Sequence, residues 1–135
     1  MFFIDTNVLN YALLSQDEQK RKRALEILTR AFSGVDFAIS TQVLSECANV
    51  LFKKGKMDAR MVSQCIEYLK QIENVVPVTI QLVTRAIEIK ALYGLQFYDS
   101  QIIAAAEQDG CTEIWSEDLG DGQIYCGIRC VNPFV

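Results

Sequence analysis

Phe2-Phe3-Ile4-Asp5-Thr6-Asn7-Val8-Leu9 is an apolar triplet, then a carboxylate, a hydroxyl and an amide, then apolar residues again. The triplet reads as a short buried strand. Asp5-Thr6-Asn7 reads as a capping cluster that starts a helix running from Val8 to Leu14. Asp5 therefore stands at the carboxyl end of a strand, where open parallel sheets bind their ligands.

Outward from that turn the alternation repeats. Asp17 and Glu18 open a second helix, in which Ala24, Leu25, Ile27, Leu28, Ala31 and Phe32 recur at helical spacing until Gly34 stops it. Phe37-Ala38-Ile39 is the next strand, and Ser40 or Thr41 caps a helix to about Lys54. Asp58 caps another, with Met61, Val62, Cys65, Ile66, Leu69 and Ile72 on one face. A third strand is expected from Val75 to Val78. Because Pro77 lacks an N–H, that strand belongs at an edge or a strand end. Helices follow from about Ile80 to Tyr93, closed by Gly94, and from about Tyr98 to Gln108. Glu113-Ile114-Trp115 then forms a strand that leads into Ser116-Glu117-Asp118. Gln123 to Tyr125 and Ile128 to Val131 read as short terminal strands. Strands alternating with helices imply right-handed crossovers and a mostly parallel sheet covered on both faces. The expectation is one three-layer α/β/α domain over residues 1–135, with a central sheet of about five strands.

Four acids stand out against this frame: Asp5, Glu46, Asp99 and Asp118. Asp5 and Asp118 each follow a strand, although a helix cap and a turn residue are equally ordinary reasons for them. Glu46 lies at the edge of an apolar helix stripe, between Val43 and Val50. Asp99 opens a helix with Ile102, Ile103 and Ala106 on its face, and it too could be an N-cap. Burying several anions together costs several kcal/mol without a compensating cation. A divalent metal would supply that cation.

The chain contains no histidine, which excludes Ser-His-Asp and Cys-His nucleophile systems, histidine acid/base pairs and H-E-x-x-H zinc helices. Chemistry must rest on carboxylates, hard ligands suited to magnesium or manganese, so the default is metal-assisted attack on a phosphate ester. Five cysteines, with no C-x-x-C pair, read as buried thiols in a reducing compartment. No apolar run approaches a membrane span, and nothing at the N-terminus resembles an export signal, so a soluble cytoplasmic protein is expected. The net charge of -4 divides unevenly: nine basic and seven acidic side chains up to residue 60, four and ten beyond it. Lys20-Arg21-Lys22-Arg23 and Lys53-Lys54-Gly55-Lys56 could meet phosphate or an acidic partner, or simply be solvated helix surface.

The order of these motifs resembles PIN-domain ribonucleases, particularly the VapC-like toxins of toxin-antitoxin pairs. Carrying the likeness are Phe3-Ile4-Asp5-Thr6-Asn7-Val8-Leu9, Ser45-Glu46, Tyr98-Asp99-Ser100 and Trp115-Ser116-Glu117-Asp118-Leu119, with Gly122-Gln123 and Asn132-Pro133-Phe134 in the tail. The resemblance implies that Asp5, Glu46, Asp99 and Asp118 bind one or two Mg²⁺ or Mn²⁺ ions. It implies that Thr6 and Ser116 support the pocket through their hydroxyls, and that Asp121 is an outer ligand. It further implies a homodimer and a small antitoxin that blocks the acidic site.

The activity expected is an endoribonuclease in which metal-activated water attacks a phosphodiester in line, leaving a 5′-phosphate and a 3′-hydroxyl. Lys20, Arg21, Lys22 and Arg23 are the candidates for holding RNA or a partner. Two other classes compete. A phospho-acceptor receiver or aspartate-dependent phosphatase also places acids at strand ends, but would want a late lysine, and Lys90 is the last one. A PIN module that binds without cleaving would keep the fold and lose only the chemistry.

Overall fold

In the computed structural model, which describes residues 1–34 and 36–135, five of the six helices begin on a side chain that accepts from the helix's first free amides. These N-caps are Asp5, Asp17, Ser40, Asp58 and Thr79. They start α1 (Thr6–Leu14), α2 (Glu18–Phe32), α3 (Thr41–Lys53), α4 (Ala59–Leu69) and α5 (Ile80–Tyr93). The sixth helix, α6 (Phe97–Gln108), has no side-chain cap, and its N-cap position is Gln96. Asp99 is therefore the third residue of α6 and not its cap, so its carboxylate is not consumed in starting the helix. Gly94 ends α5 in the left-handed conformation at φ 70°, where its N–H reaches the Lys90 carbonyl, a position that favours glycine.

The strands are β1 (Phe2–Ile4), β2 (Phe37–Ser40), β3 (Asn74–Val76), β4 (Glu113–Trp115), β5 (Ile124–Tyr125) and β6 (Ile128–Val131). They form one six-stranded sheet in the order β3-β2-β1-β4-β6-β5. All pairings are parallel except the terminal β5–β6 hairpin. The third strand begins and ends earlier than the Val75–Val78 expectation, because Pro77 lacks the amide that the ladder needs and falls just outside; the strand does lie at the sheet edge. Helix α1 packs against both α2 and α3, and α3 against α4, while α5 and α6 pack together and α6 lies against β2, β4 and β6. The sheet is thus covered from both sides by an α/β/α arrangement, with Ile4, Ile39 and Ile114 fully buried between the layers.

The winding direction decides where a ligand can sit. From β1 the chain moves outward through β2 to β3, then returns across the sheet to β4 on the other side of β1. The reversal lies between β1 and β4, and the crevice at the carboxyl ends of those two strands is the topological switch point. Asp5 follows β1 and Ser116 follows β4. The Asp5 amide donates to the Trp115 carbonyl at 3.0 Å, which sets the two strand ends side by side.

All five cysteines are free; Cys47, Cys111 and Cys130 are buried, whereas Cys65 and Cys126 are only half-buried. Burial pushes the Cys47 thiol up to about 12 and those of Cys111 and Cys130 to about 11, so these three are inert packing thiols. Among the described residues no helix is long and apolar enough to cross a membrane.

Candidate functional site

Asp5 is 6% exposed, and both of its oxygens are occupied. Oδ1 accepts from the Thr6 amide at 2.7 Å, and Oδ2 accepts from the Ser116 hydroxyl at 2.7 Å and from Asn7 Nδ2 at 3.4 Å. Burial raises its pKa from 3.8 to about 6; the Ser116 and Thr6 hydrogen bonds hold it down, and the charges of Asp118 and Glu46 push it up. Asp5 is thus a desolvated acid in the electrostatic field of two others.

Glu46, on α3, is half-buried. Its Oε1 accepts from the Thr6 hydroxyl at 2.8 Å and from Gln42 Nε2 at 3.4 Å. Thr6 therefore joins the start of α1 to α3, with its amide on Asp5 and its hydroxyl on Glu46. Asp118, in the loop after β4, is exposed, and its Oδ2 accepts from Asn7 Nδ2 at 3.2 Å. Asp99 is half-buried, and its pKa is raised first by burial and then by Asp118 and Glu46. Asp5, after β1, and Asp99, on α6, thus each lie within the field of Glu46 on α3 and of Asp118 after β4, four carboxylates remote in sequence.

Three neutral side chains that the sequence did not single out hold this arrangement. Asn7 Nδ2 is shared among Asp5, Asp118 and the Ser116 hydroxyl at 3.1–3.4 Å, while its Oδ1 accepts from the Glu117 amide at 3.1 Å. One carboxamide thereby ties the first turn of α1 to the loop after β4. Gln42 and Gln101 are both buried. Gln101 Nε2 donates to Gln42 Oε1 at 2.7 Å, and Gln42 Nε2 reaches the Tyr98 carbonyl at 3.1 Å besides Glu46. This amide pair links α3 to α6 and sets the spacing of Glu46 from Asp99. An Asn two residues after an Asp at a strand end is the only sequence signal that pointed to any of the three.

Ser116 is fully buried, and its oxygen also accepts from the Asp118 amide at 3.1 Å. Asp121 is exposed, and its carboxylate accepts from the Asn132 amide at 2.9 Å, tying down the tail; it does not figure among the charges acting on Asp5 or Asp99. The basic run divides. Lys20 Nζ meets Glu117 Oε1 at 2.5 Å and the Tyr11 hydroxyl at 3.2 Å, which brings it next to the Asp118 loop. Arg23 reaches the Pro133 carbonyl at 3.0 Å, Arg21 pairs with Glu18 at 3.7 Å, and Lys22 is exposed.

No lysine or arginine among the described residues pairs with Asp5, Glu46, Asp99 or Asp118. Four hard oxygen donors with unbalanced charge fit a divalent cation of the magnesium or manganese type. Among the described residues no three acidic, histidine or cysteine side chains already stand close enough together to hold an ion, so the donors fit by chemistry and charge rather than as a closed cage.

The PIN domain family model matches residues 2–120. Among solved structures, a toxin-antitoxin complex from Klebsiella pneumoniae is similar with a TM-score of 0.71 at 22% identity, over 98% of both chains. The sarcin-ricin loop cleaving toxin VapC20 of Mycobacterium tuberculosis is similar at 0.65 and 17%, over 96% of this chain and 99% of its own. FitAcB from Neisseria gonorrhoeae is similar at 0.66 and 18%, over 99% of both chains. At such identities the likeness is one of fold. No curated protein matches the sequence.

Proposed function

Because this chain belongs to the PIN domain family, we propose that it is a metal-dependent endoribonuclease, acting as a single domain over residues 1–135 and as the toxin of a toxin-antitoxin pair. What supports this reading most is that Asp5, at the switch point, and Asp99 each feel the charges of both Glu46 and Asp118, without a basic residue paired to any of the four among the described residues. Phospho-acceptor and phosphatase chemistries call for a lysine beside the acids, whereas no lysine among the described residues pairs with any of the four, and Lys20 is engaged by Glu117.

In this proposal Asp5, Glu46, Asp99 and Asp118 hold Mg²⁺ or Mn²⁺. When bound, such an ion lowers the pKa of an attacking water and neutralises charge on the scissile phosphate. Asp5 is fixed by the Thr6 amide and the Ser116 hydroxyl. Thr6 orients Glu46, Asn7 orients Asp118, and the Gln42–Gln101 pair keeps α3 and α6 at a set distance. Holding these groups before substrate arrives avoids reorganisation during the reaction. Because water and not the 2′-hydroxyl attacks, the products carry a 5′-phosphate and a 3′-hydroxyl. Lys20, beside the Asp118 loop, and Arg21, Lys22 and Arg23, which follow it on α2, would contact the RNA backbone or an acidic partner.

The structural likeness to a toxin-antitoxin complex supports an antitoxin partner. A homodimer and a cytoplasmic location complete the proposal. Incubating the purified protein with mixed RNA and Mn²⁺, beside Asp5→Asn, tests it: cleavage lost in the variant, with 5′-phosphate ends, is expected. Equal products from both proteins, or cyclic phosphate ends, would refute it.

A further inference from the structure

At Glu46, between α3 and α6, lies a cleft of about 420 Å³ lined by Gln42, Ser45, Glu46, Asn49, Val78 and Tyr98, among others. Its volume is within the roughly 300–1,000 Å³ usual for small-molecule sites. Resting on the ribonuclease reading, we propose that this cleft takes an unpaired nucleobase of the RNA next to the cleaved phosphate, with Tyr98 as the stacking face and Asn49 and Ser45 reading the base edge.

Tyr98 and Glu46 line the same cleft, so a base packed on the ring lies near an acid of the site. Tyr98 is 64% exposed, a large aromatic side chain left open to solvent. Phe97 packs edge-on against its ring at 5.5 Å between centroids, and Gln42 holds its backbone carbonyl at 3.1 Å, which fixes the start of α6 against α3. A solvent-facing ring is what base stacking uses, because every base has a π-face to offer.

Ser45 and Asn49 lie on α3 on either side of Glu46, at i−1 and i+3. Both are exposed, and among the described residues neither side chain makes a hydrogen bond within the protein. A hydroxyl and a carboxamide are therefore free to donate and accept, as reading a base edge demands. Gln42 and Gln101, by contrast, are bonded to each other and form fixed flooring.

Charge selects the occupant. The cleft has no lysine or arginine in its lining, and its one ionisable carboxylate is Glu46. Without a cation of its own the cleft offers a phosphate nothing, whereas a neutral ring with hydrogen-bonding edges suits it. The phosphodiester belongs at the acids, where the divalent ion of the proposed function would offset their charge, and the adjoining base belongs in the cleft. Duplex RNA cannot supply such a base without unpairing it, so single-stranded segments or loops are the substrate class.

The test uses short single-stranded RNA containing a mapped cut site, and the same RNA with one abasic position flanking it. Binding is followed by fluorescence anisotropy with the full chain carrying Asp5→Asn, and cleavage with the otherwise unaltered protein. Tyr98→Ala is expected to weaken binding and to lower kcat/KM by roughly 10- to 100-fold, mostly through KM, with Tyr98→Phe near normal. The abasic RNA should lose a similar factor with the parent protein and almost nothing further with Tyr98→Ala. Asn49→Ala should flatten base preference at that one flanking position in a randomised pool. Equal abasic losses in parent and Tyr98→Ala, or an unchanged base preference in Asn49→Ala, would overturn the proposal. Absence of Asp5-dependent cleavage would instead refute the ribonuclease reading, and the binding comparison would still decide whether the cleft holds a base.

Discussion

Asp5→Asn separates the electrostatics of the site from its packing, because only the ionisable group responds to pH. The folded protein holds a proton on Asp5 up to about pH 6, against 3.8 for the free side chain. At about 1.4 kcal/mol for each tenfold change in proton affinity, that difference is worth about 3 kcal/mol. Folding raises this pKa, so the folded chain binds the proton more tightly than the unfolded one. The associated stability is complete below 3.8 and is lost as pH rises through about 6. Asparagine has no such loss. It does carry a fixed cost of about 1 kcal/mol, because Asp5 uses both oxygens as acceptors and asparagine has only one. Urea unfolding of both proteins in chelator, from about pH 4 to about pH 7.5, should show the variant gaining about 2–3 kcal/mol relative to the parent across the range. A difference that stays flat with pH would mean that burial does not oppose the Asp5 charge.

Asn7→Ala removes the carboxamide shared by Asp5, Asp118 and Ser116 and the acceptor of the Glu117 amide; a stability loss of about 1–3 kcal/mol in denaturant unfolding is expected, together with a large fall in RNA cleavage. Mg²⁺ or Mn²⁺ at about a hundred times its dissociation constant should add about 2.7 kcal/mol of stability to the parent, visible as a rise in Tm, while Asp99→Asn should show little rise. Gly94→Ala forces a side chain into the φ 70° position that closes α5; about 1 kcal/mol should be lost in thermal unfolding with cleavage per folded molecule unaltered.

The architecture was legible because capping residues and apolar periodicity agreed along the chain. Asp17, Ser40 and Asp58 each start the helix expected of them. Boundaries moved for local reasons: Pro77 drops out of β3, and α6 starts one residue earlier on an unassisted Gln96, while α1 starts at Thr6, directly after its Asp5 cap, rather than at Val8. That second shift bears on function, since it turns Asp99 from a cap candidate into a first-turn acid with no backbone duty. The strand-end position of Asp5 and the stripe-edge position of Glu46 could also be read directly. What could not be read were the neutral amides. Asn7, Gln42 and Gln101 act across 59 to 111 positions of sequence, and an amide gives no periodic signal that would announce such a partner. The meeting of Lys20 with Glu117 is hidden for the same reason, since only the packing of α2 near the Asp118 loop brings the two together.

Anomalous diffraction from crystals grown with Mn²⁺ addresses the metal site itself. A peak bounded by the carboxylates of Asp5, Glu46, Asp99 and Asp118 is expected, lost in crystals of the Asp5→Asn variant. A protein that takes up no manganese there, or binds it only at Glu117 or Asp121, would contradict that expectation.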